Sequence, residues 1–287
     1  MKRLCLIAGV VALWPAAASF AQVLAPNAAG VAMGQWHTMV RNVDATKKFW
    51  VLVGGTPIKV DGIDVIKFPG VLIFMQPGSP SGGDNGNKGS VVDHPGFNMK
   101  NGEEFLGRLK AGGLKVDVIE GRGPDSGYIY TPDGLRIEMQ GNANDIAKRP
   151  LIGFSGKDLD VPIAADHLHY FLPESAVDEA QTWYVKLLGA NPLKENNRGK
   201  TPAGDLAGIR LRFGTSRDGS VMPSKGRALD LIGFEVTNLE AFCKKLEANG
   251  FKLDQPYSKS RHKSFASAEL TDPWGTSIEL TEGLNSY

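Results

Sequence analysis

The chain has 287 residues, with 32 Lys and Arg against 31 Asp and Glu and a formal net charge of +1. Nothing in that balance offers a surface for a polyanion, so a nucleic-acid partner is set aside in favour of a small molecule or another protein, and the chain is expected as a monomer or homodimer. The two cysteines, Cys5 and Cys243, are too few for a disulfide framework.

The first 21 residues read as a secretory signal: Lys2 and Arg3 form a basic start, Leu4 to Trp14 an apolar run, and Ser19-Phe20-Ala21 a small-x-small cleavage site before Gln22. Pro15 stops the apolar run well short of the roughly 20 residues that span a bilayer, so cleavage is expected rather than anchoring. The mature chain is therefore expected in an exported compartment, most simply a bacterial periplasm, free of the membrane. Cys243 is left without a partner, inside a helical pattern that suits a small buried residue.

An internal duplication divides the rest. Asp93, Gly96, Phe97, Glu103, Phe105, Leu109, Ala111, Gly113 and Lys115 recur as Asp230, Gly233, Phe234, Glu240, Phe242, Leu246, Ala248, Gly250 and Lys252 in one unbroken register. Pro132-Asp133-Gly134 through Glu138 is echoed by Pro273-Trp274-Gly275 through Glu279, and Trp36-His37 by Asp166-His167. This gives an extension over 22–33, a first domain over 34–142, a linker over 143–162 and a second domain over 163–287. Each copy reads strand, helix, then short strands. Helices are expected at Ala45 to Leu52, Glu103 to Ala111, Val177 to Leu188 and Leu239 to Ala248, three of them ending at Gly54, Gly189 or Gly250 as a left-handed cap prefers. Pro77 to Ser90, rich in Gly, Ser, Asn and Asp, reads as a long mobile loop, either a lid or a plain surface excursion.

Strand parity sorts the chemistry. Arg136, Glu138 and Gln140 share one face of their strand and Leu135, Ile137 and Met139 the other, so Glu138 is expected to face a concave polar side. His94 shares its face with Gly96 and Asn98. Two imidazoles and a carboxylate on rigid strands suit a divalent first-row metal and leave positions open for substrate oxygens.

The opening histidine, the later His94 ahead of Gly96-Phe97 and the closing Pro-x-Gly-x-x-Ile-Glu together resemble the vicinal oxygen chelate superfamily, which includes glyoxalases, bleomycin-resistance proteins and extradiol dioxygenases. The resemblance implies an α+β fold of tandem domains, each of two βαβββ modules forming an open curved sheet with its helices outside. It also implies one divalent ion (Fe, Mn, Zn or Ni) held by His37, His94 and Glu138, with Glu138 and Tyr128 as catalytic groups. The second domain would keep a vestigial set, His167, His169 and Glu279, because Leu231 stands where His94 has its counterpart. If modules pair across the two domains instead, His167 replaces His37 as third ligand, and His94 and Glu138 serve either way.

Departures from the family narrow the chemistry. Leu72 to Gln76 lacks the acid that glyoxalases carry there. Tyr128 matches the extradiol tyrosine without the histidine before it, and His262 matches that histidine without the tyrosine, Glu269 standing in its place. Arg122, Arg136 and Arg212 suit an anionic substrate or plain surface charge. The expectation is a metal-dependent lyase or isomerase acting on a small substrate chelated through two adjacent oxygens. The alternatives are an extradiol-type dioxygenase and a non-catalytic binding or resistance protein.

Overall fold

A computed structural model of the chain describes residues 24–141, 162–195, 201–217, 219 and 221–287. The expected signal and nearly all of the expected linker lie outside the described residues.

Four βαβββ modules follow one another. The first is β1 (Val31–Val40), α1 (Val43–Val53), β2 (Thr56–Val60), β3 (Ile63–Phe68) and β4 (Val71–Pro77). The second is β5 (Val92–Met99), α2 (Gly102–Ala111), β6 (Asp117–Val118), β7 (Ser126–Tyr130) and β8 (Arg136–Gln140). The third is β9 (Ile163–Leu172), α3 (Val177–Leu188), β10 (Asn191–Glu195), β11 (Thr201–Leu206) and β12 (Ile209–Thr215). The fourth is β13 (Leu229–Val236), α4 (Leu239–Ala248), β14 (Gln255–Ser258), β15 (Ala266–Thr271) and β16 (Ser277–Glu282).

Helix ends follow local chemistry. The Asn42 side chain accepts from the Ala45 amide to open α1, and Gly54, at φ 115°, closes it in a conformation that costs a residue with a Cβ. Thr46, Phe49, Trp50 and Val53 recur at helical spacing and form the buried stripe of α1.

The modules pair crosswise. A terminal sheet runs β14-β15-β16-β13-β1-β4-β3-β2 and a central sheet runs β10-β11-β12-β9-β5-β8-β7-β6. In each, an antiparallel pair at the middle, β1 with β13 or β5 with β9, joins one module from each half of the chain. Alternation along the strands sets an apolar face against a polar one in the central sheet, whereas the second face of the terminal sheet also carries a small buried apolar cluster that includes Leu72 and Phe74. The apolar faces of both sheets and the helices share one core, in which Trp36 of β1 meets Phe97 of β5 edge-on at 5.5 Å.

The stretch from Pro77 to Ser90 is not a free excursion. The side chain of Asn87, 1 % exposed, donates to the carbonyls of Val92 (3.0 Å) and Leu229 (2.8 Å) and accepts from the Leu229 amide (2.7 Å). It thus stitches the loop to the first residue of β13 and to β5. Asn87→Ala orphans buried backbone groups, and a loss of about 1–3 kcal/mol is expected from urea unfolding.

Candidate metal centre

Both strand pairs at the middle of the sheets carry two β-bulges, and these bulges build the site. In the central sheet the register skips from Val92 to His94 and from Gly96/His167 to Phe97/Ala165, leaving Asp93 and Asp166 as the extra residues. A bulge re-aims the side chain it carries. Each aspartate consequently turns back onto the histidine that follows it: Asp93 Oδ1 lies 2.6 Å from His94 Nδ1 and Asp166 Oδ2 lies 2.7 Å from His167 Nδ1.

The opposite ring nitrogens point at one carboxylate. His94 Nε2 lies 3.1 Å and His167 Nε2 3.2 Å from the same oxygen of Glu138, Oε2. Ligand atoms of His94, Glu138, His167 and His169 all fall within 4.8 Å of one another. The first three are 1 %, 3 % and 0 % exposed, so water does not serve them from bulk solvent. Gly96 lies opposite His167 and also beside Glu138. A Cβ at Gly96 would come 2.6 Å from His167 Nε2, so glycine is what admits the imidazole there.

The donor set itself calls for a cation. In the tautomers whose Nδ1 protons face Asp93 and Asp166, neutral His94 and His167 would each present a lone pair at Nε2, and ionised Glu138 presents only lone pairs. His167 Nε2 and His169 Nδ1 are buried without a hydrogen-bond partner. Acceptors that face one another at about 3 Å are reconciled by protonating the imidazoles or by a metal ion among them, with each carboxylate–histidine pair fixing the ring as metal sites usually require. The residues therefore fit a divalent ion.

The carboxyl groups of the cluster are held ionised and His169 is held neutral. Burial opposes ionisation of Glu138, but His167 and His94 outweigh it and hold the carboxyl far below its usual range. The same balance, with His167 as the main stabilising partner, leaves Asp166 at about 2. Burial, then the neighbouring His94 and His167, keeps His169 well below the ordinary histidine value, so its ring stays neutral with a free lone pair.

The rest of the polar face surrounds this cluster. Gln140 donates to Glu138 Oε1 (2.6 Å), and Arg122 approaches the same oxygen at 3.3 Å. Arg136 pairs with Asp93 and lies over the Tyr128 ring. Tyr128, opposite Glu138 in register, sets its ring edge-on to His94 with centroids 5.8 Å apart. Burial and the Glu138 charge push its phenol up, so it serves as a hydrogen-bond donor at neutral pH.

The expected ligand set needs one correction. His37 is not beside His94 and Glu138. It lies on the polar face of the terminal sheet, because β1 pairs with β13 rather than with β5. There His37 Nε2 is 3.2 Å from Glu279 Oε2, its Nδ1 is 3.0 Å from Gln76, and its ring stacks on Phe74. The alternative third ligand, His167, stands in the cluster instead. The expected vestigial set is likewise divided, with His167 and His169 in the central sheet and Glu279 in the terminal one.

Register also corrects the repeat. His37 faces Leu231 and Gln35 faces Gly233, whereas His169 faces His94 and His167 faces Gly96. His37 is thus the counterpart of His169, and Gln35 that of His167; the echo of Trp36-His37 in Asp166-His167 was two residues out. Gln35 takes the place of His167 against the carboxylate, donating to Glu279 Oε2 at 3.1 Å. Gly34 takes the bulge position in β1 that Asp166 holds in β9, so no carboxylate orients Gln35 there. His262 approaches Glu279 Oε1 at 3.5 Å and stacks on Phe265. The orienting placement of Asp93 and Asp166 escaped the sequence reading, and His169, expected in a separate vestigial set, instead joins His94 and Glu138. The repeated Asp-His dipeptide was the available signal.

Asp166→Asn is expected to weaken divalent-metal binding about 10–100-fold, read by competition with a chromogenic chelator. In the metal-free protein the depressed Asp166 carboxyl contributes stability that is fully present above its ordinary value of 3.8 and is lost as pH falls through about 2. The same variant flattens that acid limb in urea titrations.

Four βαβββ modules paired into two open sheets, with one such glutamate per sheet, Glu138 on β8 and Glu279 on β16, match the vicinal oxygen chelate fold. Residues 167–280 match the model of the Glyoxalase/Bleomycin resistance protein/Dioxygenase superfamily. Among solved structures, glyoxalase I from Zea mays is similar at a TM-score of 0.62 and 15 % identity, covering 89 % of this chain and 94 % of that one. A putative dioxygenase from Bacillus subtilis subsp. subtilis str. 168 is similar at 0.64 and 14 %, covering 88 % and 85 %. No match was found among curated proteins. The fold is therefore that of the vicinal oxygen chelate superfamily, with a cluster of residues that could bind a metal ion.

Proposed function

We propose that the protein is an exported, divalent-metal-dependent lyase or isomerase acting on a small substrate held through two adjacent oxygens. The observation that carries this is the convergence of His94, His167 and Glu138, with His169 beside them, on a polar face where Gln140 and Arg122 direct N–H groups at Glu138. A divalent ion bound there supplies Lewis-acid polarisation of the substrate oxygens.

The chain's own residues do the rest. Asp93 and Asp166 hold the imidazoles with Nε2 facing inward. Gln140 fixes Glu138 through Oε1, leaving Oε2 for the ion. Tyr128, protonated at neutral pH, is placed to donate to a substrate oxygen, and buried surroundings exclude water from the reacting atoms. His169 favours lyase or isomerase chemistry: as a fourth donor beside His94, His167 and Glu138 it would leave an ion room for a chelated substrate and little besides.

The second reading, an extradiol-type dioxygenase, is favoured by Tyr128 beside His94. It requires a position for oxygen as well as for the substrate, and so requires His169 to stand off the ion. Oxygen uptake with catechols by protein loaded anaerobically with Fe(II) separates the two; uptake at enzymatic rates would replace the first reading with the second. Export rests on Lys2, Arg3, the apolar run to Trp14 and Ala21. Mass spectrometry of protein secreted from a bacterial host should find Gln22 as the first residue, and an intact Met1 would refute export.

A further inference from the structure

The two polar faces are internal copies, and they differ in charge. At corresponding register positions the central sheet has Arg210 and Arg212 on β12, where β4 of the terminal sheet has Leu72 and Phe74. Two residues before the glutamate, β8 has Arg136 where β16 has Ser277. Arg210 is held by Asp205 through two contacts of 2.6 and 2.9 Å, and the two form a neutral pair near Asp166, whose carboxyl Arg210 also helps to hold ionised. The other guanidiniums ring the ligand cluster: Arg136 on Asp93, Arg212 at 3.7 Å from Asp166, and Arg122 at 3.3 Å from Glu138.

Among the described residues, the cluster's three carboxylates (Asp93, Glu138, Asp166) balance three guanidiniums (Arg122, Arg136, Arg212), for a net charge of zero with neutral imidazoles. A divalent ion then brings the pocket to +2. Uncompensated charge in a buried site is costly, so a ligand carrying negative charge is favoured over a neutral one of the same shape. The side of entry is marked as well. Arg122 and Arg136 are the partly exposed members, with side chains 33 % and 34 % accessible, while His94 and His167 are buried.

We infer that the substrate is a carboxylate with a second oxygen next to it, of the 2-oxo- or 2-hydroxycarboxylate class, and that Arg122 is the guanidinium that selects its charge. Arg122 suits this role because its partner, Glu138 Oε1, is already satisfied by Gln140 at 2.6 Å, and a guanidinium has further N–H groups in a fork that matches a carboxylate. Arg136 and Arg212 instead hold the aspartates that orient His94 and His167.

The inference rests on the proposed metal site, and the test separates the two. Zinc is loaded into the mature protein and quantified. Binding of oxalate, glycolate and hydroxyacetone is then measured by calorimetry on wild type, Arg122→Gln and Arg122→Lys, with zinc retention checked after each titration. Wild type should bind the two anions at least about tenfold more tightly than neutral hydroxyacetone. Arg122→Gln should lose about tenfold or more for the anions, with hydroxyacetone within about twofold and zinc retained, and Arg122→Lys should recover part of the loss. Zinc uptake with anion binding unchanged in Arg122→Gln, or with all three probes weakened alike, overturns the inference alone. A wild-type protein that takes up no zinc overturns the metal reading and this inference with it.

Discussion

His167→Ala is expected to lose its divalent metal, with affinity falling at least about 100-fold, while His37→Ala keeps wild-type stoichiometry. Both residues are buried histidines that contact a glutamate on the last strand of a module, so composition and spacing do not separate them. Their sheets do. His167 converges with His94 on Glu138 Oε2, and its Nδ1 is fixed by Asp166. His37 shares Glu279 with Gln35, an amide that donates to the carboxylate and so satisfies it without an ion. It also faces Leu231 where His169 faces His94. Metal analysis of the two purified variants after reconstitution reads the difference. Loss from His37→Ala with retention by His167→Ala would mean that the chain pairs its modules within each half.

Trp50→Ala is expected to cost about 3–5 kcal/mol in unfolding free energy. The indole is fully buried and reaches from α1 to Phe68 of β3 and Phe97 of β5, so it packs against a strand of each sheet. Removing it opens a cavity where the two sheets and a helix meet. Trp50→Phe should cost less than about 1.5 kcal/mol, since an aromatic ring remains and the indole N–H has no partner to lose. Urea denaturation of both variants checks the pair. Equal losses would place the effect in something other than packing volume.

The modular plan was legible in the sequence because duplication and helix punctuation are local. The helix ends expected at Leu188 and Ala248 are those observed, and Gly54 and Gly189 close their helices in the left-handed conformation. His94 and Glu138 were legible from parity, a period-two property of single strands. The third member of the cluster was left open between His37 and His167, because it depends on which strand lies beside β5. That is a long-range pairing, and local pattern carries no information on it. The bulges were hidden for a related reason. An extra residue in a strand shows itself only against its neighbour, so the turn of Asp93 and Asp166 onto the following histidines had no signature beyond the Asp-His dipeptide. The offset of two residues in matching His37 to His167 came from aligning histidine with histidine. Val31–Val40 set beside Ile163–Leu172, end to end, gives the observed match of His37 with His169.

The central claim is that crosswise pairing of modules creates one divalent-metal site at His94, Glu138 and His167. Its most direct test is the metal content of reconstituted, buffer-exchanged wild-type protein beside His94→Ala, with circular dichroism confirming that both are folded. The account predicts close to one equivalent of divalent metal per chain in the wild type and less than about a tenth of that in the variant. Equal metal in the two folded proteins, whether high or absent, would contradict it.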